Sequence, residues 1–393
     1  MKHFLRALVM VIVVGHYANA ALLSVNTSSR QDSLAAYYNL YAPTTYVPTG
    51  WTTTGLSDPG TTSAAFQNAV ITRVNYYRTM AGVPAITHNA TYTQRAQAAA
   101  HLISANNRSS HNPTSDWLYY TTTALQGAQR SNLYLGSSGI AAIDGYMRGP
   151  GSTNFSVGHR RWVLNPPAKQ FGVGDVSATT GRAQANALYV VDVASNAPHP
   201  ATRDGYVAWP PPGYVPYNVV FPRWHFSKQG VDFSAATVSL TLGGLTVPAA
   251  VIARGTENLM GYLSFNVNNL SDFATFPKPT ADQRYRVTIQ NARVNGVAQT
   301  FSYNVTLFDP VTIAGDYNFD GVVNAADYTT IRDDLGTRYT QTDLATWRAS
   351  YGDRASTTAV AVPEPSGLGF ALVAAAAAAP ARRRTATRPA SRA

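Results

Sequence analysis

Residues 158–174 read GHRRWVLNPPAKQFGVG. His159 lies between a glycine and two arginines, just ahead of Trp162. One strand-like piece, RRWVLNP, lies within the run at 160–166, a second, QFGVGDV, starts in it and ends at 176, and a third, ALYVVDV, follows at 187–193. Upstream, Phe66, Val70, Val74, Tyr77 and Ala81 recur at helical spacing over 64–81, with Gly82 and Pro84 as stops. A second helix is predicted over 91–107. Thr91 and Gln94 form a capping-box pair there, and Tyr92, Ala96, Ala99 and Ile103 make a buried stripe. A third helix is expected at 139–147. Helices interleaved with a few strands predict an α/β/α sandwich.

A chain of 393 residues is long enough for two or three domains with real cores. It has no cysteine, which removes disulfides, thiolate metal sites and a cysteine nucleophile together. The net charge of +10 is concentrated at the ends. Lys2, Arg6, Arg382, Arg383, Arg384, Arg388 and Arg392 account for seven basic groups, leaving about +3 for the body. That distribution argues against a nucleic-acid partner. The only glutamates are Glu257 and Glu364, and between residues 61 and 200 the only carboxylates are Asp116, Asp144, Asp175 and Asp192. Acid–base chemistry in that stretch has few groups to draw on. No H-E-x-x-H, G-x-S-x-G or P-loop pattern occurs.

The first 20 residues have a charged start, an apolar run from Ala7 to Val14 and an Ala18-Asn19-Ala20 exit, the pattern of a signal peptide. At the other end, Pro363-Glu364-Pro365 precedes an apolar stretch from Gly367 to Ala379 and the arginines 382–384. This order resembles the PEP-CTERM sorting signal of bacteria. The resemblance implies an exosortase-type protease as a partner, transient membrane association, and an envelope or extracellular destination.

Residues 316–327 read DYNFDGVVNAAD. Asp316, Asn318, Asp320, the Val322 carbonyl, Asn324 and Asp327 fall at positions 1, 3, 5, 7, 9 and 12 of an EF-hand-type calcium loop, with Gly321 at the turn. The aspartate at position 12 resembles the type I dockerin loop. The following half, TQTDLATWRASYG, lacks a second ligand set. A single calcium-binding, dockerin-like segment is therefore expected, ending in helices.

Between 201 and 310, YVAWPPPGYVPYNVVFPRWHF reads as an extended connector. Short alternating strands follow, with Val294-Asn295-Gly296 as a hairpin signal. They predict a β-sandwich of immunoglobulin-like size. Trp209, Tyr214, Trp224 and Phe226 suit either a carbohydrate-stacking surface or, as the preferred expectation, packing at the junction with the first domain.

Four pieces in order, VNYYRTMAGVPAIT, AQAAAHLISANNRSSHNP, SNLYLG and GHRRWVLNPPAKQFGVG, resemble the CAP superfamily of cysteine-rich secretory, antigen 5 and pathogenesis-related proteins. The resemblance implies a cleft with two histidines and two acids. His111 and His159 match the histidines. The family's Glu-Asn pair falls on Ser131-Asn132, so that glutamate is missing, and the second acid falls nearest Asp144. Two imidazoles and one carboxylate suit zinc with an open position, and equally suit a hydrogen-bond network that stiffens a groove. Arg160 and Arg161 are expected on backbone or solvent, His101 to be packed or solvated, and Trp162 in the core.

The expected organisation is α+β: a signal peptide (1–20), an N-terminal extension (21–60), a CAP-like domain (61–200), a β-sandwich (201–310), a dockerin-like segment (311–355) and a sorting tail (356–393). The leading functional expectation is a non-catalytic binder of a lipid, glycan or protein at the cell surface or in the extracellular matrix. The alternatives are a metal-dependent hydrolase using His111, His159 and Asp144, and a calcium-dependent component of an extracellular polysaccharide-associated assembly.

Overall fold

The computed structural model describes residues 25–354, apart from 195, 311–312, 318–321, 334 and 337–338. The expected leader and sorting tail lie outside these residues. In chain order the first domain contains α1 (Arg30–Ala36), α2 (Ala64–Met80), β1 (Thr87–His88), α3 (Ala90–Asn106), α4 (Thr122–Arg130), β2 (Ser131–Leu135), α5 (Gly139–Arg148), α6 (Gly158–Val163), β3 (Gln170–Val176) and β4 (Ala185–Tyr189). The strands form one sheet in the order β1-β3-β4-β2, with β1 parallel to β3 and the other pairs antiparallel.

Strand alternation sorts the two faces of that sheet. Phe171, Val173 and Leu188 join Phe66, Val70 and Val74 of α2 and Ile143 and Met147 of α5 in one core. Ala185, Ala187 and Tyr189 turn the other way, against Ala96, Ala99 and Ile103 of α3 and Ala124 and Ala128 of α4. The result is an α/β/α sandwich. On the α3 side, β3 presents Gly172 and Gly174. A Cβ at either would lie 2.2 Å from the backbone of Tyr92 or Ala96, so the helix axis sits closer to the sheet than any larger residue permits.

Three local expectations need correction. Helix α3 is capped by Asn89, whose side chain accepts from the Tyr92 N–H, so Thr91 lies inside the helix and caps nothing. Residues 160–166 are not a strand. Arg161 N–H and Leu164 N–H bond back to Val157 O and Arg160 O, making the short helix α6. The apolar run Trp162-Val163-Leu164 carries no period of its own, which is why its sequence misleads. Helix α4, capped by the Thr121 side chain, lies in a stretch where the sequence reading placed no element.

The second domain contains β5 (Val207–Trp209), β6 (Gly213–Pro216), β7 (Arg223–Gln229), β8 (Val231–Asp232), β9 (Thr237–Leu242), β10 (Leu245–Val247), β11 (Ala249–Glu257), β12 (Met260–Val267), β13 (Gln283–Val294) and β14 (Val297–Phe308). The supposed connector thus supplies β5, β6 and β7. One sheet runs β10-β9-β13-β14-β6, with β8 pairing β13, and the other β11-β12-β7-β5. Trp224 and Phe226 of β7 meet Tyr285 of β13 and Phe301 and Tyr303 of β14, so the sheets pack face to face. The β13–β14 hairpin turns at Asn295 (φ 50°) and Gly296 (φ 81°), both left-handed as a type I′ turn requires. The β6–β14 pair is parallel, which departs from an all-antiparallel immunoglobulin plan.

The two domains share one hydrophobic core. Buried Trp209 packs edge-on against Tyr77 of α2 at 5.0 Å. Arg223 donates to the carbonyls of Gly149, Gly151 and Asn154, while Arg160 donates to Arg223 O. Ser264 donates to Phe155 O. The loop 149–157, which carries the chain into α6, is thus clamped from the sandwich. Beyond it, α7 (Ala325–Asp333) and α8 (Gln341–Ala349) enclose a small core of Ile331, Tyr339 and Leu344. Among the described residues no helix is long and apolar enough to cross a membrane.

Candidate functional site

The end of α4, the start of β2 and the start of α6 surround a cleft of about 290 Å³. Its walls include His111, Gln129, Arg130, Ser131, Asn132, Asn154, His159 and Trp162, with Val190 and Val191 behind them. His111 and His159 therefore meet in one hollow, although the chain separates them widely. His111 Nδ1 lies 2.8 Å from the Ala128 carbonyl. A carbonyl only accepts, so Nδ1 carries the proton, and in the neutral ring Nε2 keeps its lone pair.

His159 is placed by its backbone. Asn132 Nδ2 donates to His159 O at 3.0 Å. The Asn132 carbonyl in turn lies 3.0 Å from Tyr146 Oη, which is also 2.7 Å from Asn186 Oδ1. Asn186 Nδ2 donates to Asp175 Oδ2, whose other oxygen accepts from the Gly139 N–H at the start of α5. A buried polar chain thus runs from Asp175 to the floor of the cleft, and the Tyr146 ring meets the His159 ring edge-on at 5.2 Å. Burial first, and the neighbouring charge of His111 second, together lower the His159 pKa to about 4. The imidazole is neutral near pH 7.

The turn into α6 is strained. Val157, fully buried, has φ 47°, a left-handed conformation rare for a β-branched residue. Such strain costs on the order of 1–3 kcal/mol and persists only where surroundings impose it. Here Val157 N–H bonds to Asn154 O, and the Asn154 side chain accepts from Gly158 N–H. Asn154 therefore both lines the cleft and fixes the turn that presents His159.

Asp144 does not reach this cleft. It accepts two hydrogen bonds from Arg73 Nη1, at 2.8 and 2.7 Å, and one each from Tyr77 and Tyr41. The reason is helix phase: Asp144 shares a stripe of α5 with Ile140 and Met147, which face the core. Its proposed role beside the two histidines is thereby corrected. The lining of the cleft contains no carboxylate. Among the described residues no group of three His, Cys, Asp or Glu side chains is gathered as a metal site. Ser131 is buried, and its hydroxyl has no hydrogen-bond partner.

Other side chains fall as follows. Trp162 is half-buried and lines the cleft, so it is more than a core residue. Arg160 spends its donors on the carbonyls of Met147, Arg148 and Arg223. His101 is packed, with Nε2 on Leu56 O and its ring stacked on Tyr119. Gln129, Arg130 and Asn154 carried no sequence signal, because their place depends on where α4 ends and how the 149–157 loop is clamped.

In the loop expected to bind calcium, Asn318, Asp320 and Gly321 lie outside the described residues. Asp316 and Asp327 are buried. Asp327 accepts from the N–H groups of Tyr317 and Asn324, and Asn324 Oδ1 accepts from Ala326 N–H at the start of α7.

No curated protein matches the chain. Residues 71–193 match the family model described as CAP, cysteine-rich secretory protein family, and every residue lining the two-histidine cleft falls inside that match.

Proposed function

We propose that the protein is an exported binding protein whose CAP cleft holds a neutral glycan segment without transforming it. The observation that carries this reading is the chemistry of the cleft. Amides, a hydroxyl, two imidazoles and the Arg130 guanidinium line it beside Trp162, with no carboxylate to orient an imidazole as a base or to complete a metal site. Amide and imidazole groups exchange hydrogen bonds with hydroxyls in both senses, and an indole offers an apolar face to a sugar ring. Lipid tails would call for a drier wall. The leader and tail patterns support export and envelope sorting.

Calorimetric titration of the full chain with neutral cello-, chito- and malto-oligosaccharides tests this. Saturable binding without product formation is expected, weakened at least tenfold by His111→Ala and by Asn132→Ala. Turnover of any of them that disappears in both His111→Ala and His159→Ala, or binding that prefers fatty acids or a protein, contradicts it.

We assign calcium to the 316–327 loop, supported by the ligand spacing and by the burial of Asp316 and Asp327. Bound there, calcium would stabilise the folded segment. Calcium should raise the melting temperature relative to EGTA, and Asp316→Ala should abolish the difference.

A further inference from the structure

Where the first domain meets the sandwich, β7 turns His225 and Ser227 away from the sandwich core and toward the end of α6. His225 is fully buried, and neither ring nitrogen has a hydrogen-bond partner. Leaving both nitrogens of a buried imidazole unmet is costly, so their orientation needs a reason. The ring opens on a chamber of about 20 Å³ walled by Arg161, Asn165 and Glu257. That is room for one water or one ligand oxygen. Pro166, Val207 and Met260 line both this chamber and a wider recess of about 370 Å³ that carries His199 and Lys228. His199 Nε2 donates to Asn258 O, and its Nδ1 is also buried without a partner.

The charges around this space do not cancel. Arg161 is paired with Glu257 at 2.5 Å, Arg223 with Asp272, and Arg203 with Asp204. Arg160, fully buried, has only carbonyls as partners, and Lys228 Nζ rests on Gly205 O. On the lining itself one positive charge, Lys228, is left over, with buried Arg160 behind it and a neutral imidazole that offers an N–H. Burial and the two arginines hold His225 well below the ordinary histidine range.

We propose that this junction is a second ligand site, separate from the two-histidine cleft, that takes a small organic carboxylate with one oxygen in the inner chamber on His225 and the rest in the recess beside Lys228. The orphaned His225 ring and the positive surplus carry the inference together. The site is built from both domains, so its occupant would also tie them together.

Imidazole-labelled full chain, titrated with acetate, succinate and acetamide, tests the proposal by NMR. The two carboxylates should shift the His225 ring signals saturably and acetamide should not. Lys228→Met, a half-buried rim residue, should weaken succinate at least tenfold while leaving oligosaccharide binding unchanged. Ser227→Met, which fills the chamber, should abolish the shift. Where that variant does not fold, Lys228→Met alone carries the test. No saturable shift, an equal response to acetamide, or unchanged affinity in the folded variants would overturn the proposal and leave the chamber as a water site.

Discussion

Replacing Gly127 by alanine inverts an ordinary expectation. Gly127 lies in the interior of α4, where alanine is normally worth about 1 kcal/mol more than glycine. Here the added Cβ would sit 2.0 Å from Arg95 O, 2.7 Å from Arg95 C and 3.0 Å from Ala99 Cβ. Two of these atoms belong to the backbone of α3, itself pressed on the sheet through Gly172 and Gly174, so α3 has nowhere to retreat. Ordinary contact begins near 3.4 Å, so α4 must move off by more than about 1 Å. Overpacking of this kind costs about 1–3 kcal/mol, and here the backbone contact puts it at or above the top of that range. After the propensity gain is returned, a net loss of about 2 kcal/mol is expected. The next residue, Ala128, supplies the carbonyl that holds His111 Nδ1, so the histidine is displaced along with the helix. Urea unfolding measures the stability, and the His111 Nδ1–H signal reports its anchor. A variant as stable as the parent, with that signal unmoved, would refute the packing argument.

Other consequences are as direct. Asp144→Ala leaves Arg73, whose side chain is fully buried, without its carboxylate. It should cost about 3–5 kcal/mol in denaturant unfolding yet spare ligand binding in the variant that remains folded. A lost ligand with stability intact would instead return Asp144 to the site. The folded His159 titrates at about 4 against 6.5 when unfolded, so the unfolded chain binds more protons between those values. Its contribution, at most about 3 kcal/mol, is complete above pH 6.5 and lost as pH falls toward 4, and His159→Phe should flatten that slope of stability against pH. Asp175 acts in the opposite sense. Burial raises it to about 7, against the pull of the Gly139 N–H and Asn186, so the folded state holds the extra proton. Stability is then lost as pH rises from about 4 to 7, and Asp175→Asn should remove that negative slope from unfolding measured across this range.

The sandwich around β3 was legible because its helices keep strict apolar spacing and its strands alternate. The cleft was legible only in part. His111 and His159 stood out through the motifs around them, and the structure brings them together. Asp144 was read by its position in a motif order, while its own helix carried the contrary signal. Ile140, Asp144 and Met147 share one stripe of α5, and Arg73 and Tyr77 share one of α2, so a buried arginine on an apolar face was already asking for an acid. The strands in the proline-rich connector were hidden because Pro210, Pro211 and Pro212 dominate the reading there. Yet Trp209 and Pro216 on either side sit in sheets. The orphaned His225 was invisible in sequence, since its environment comes from β7, the end of α6 and the β11–β12 turn, which only tertiary packing assembles.

The central claim is that His111 and His159 share one hollow as electrically coupled imidazoles without an acid between them. Titrating the His159 ring by NMR, in the parent chain and in His111→Ala, tests it most directly. The account predicts a transition near pH 4 that moves upward when the neighbouring charge is removed. A His159 transition near 6.5, indifferent to residue 111, would contradict it.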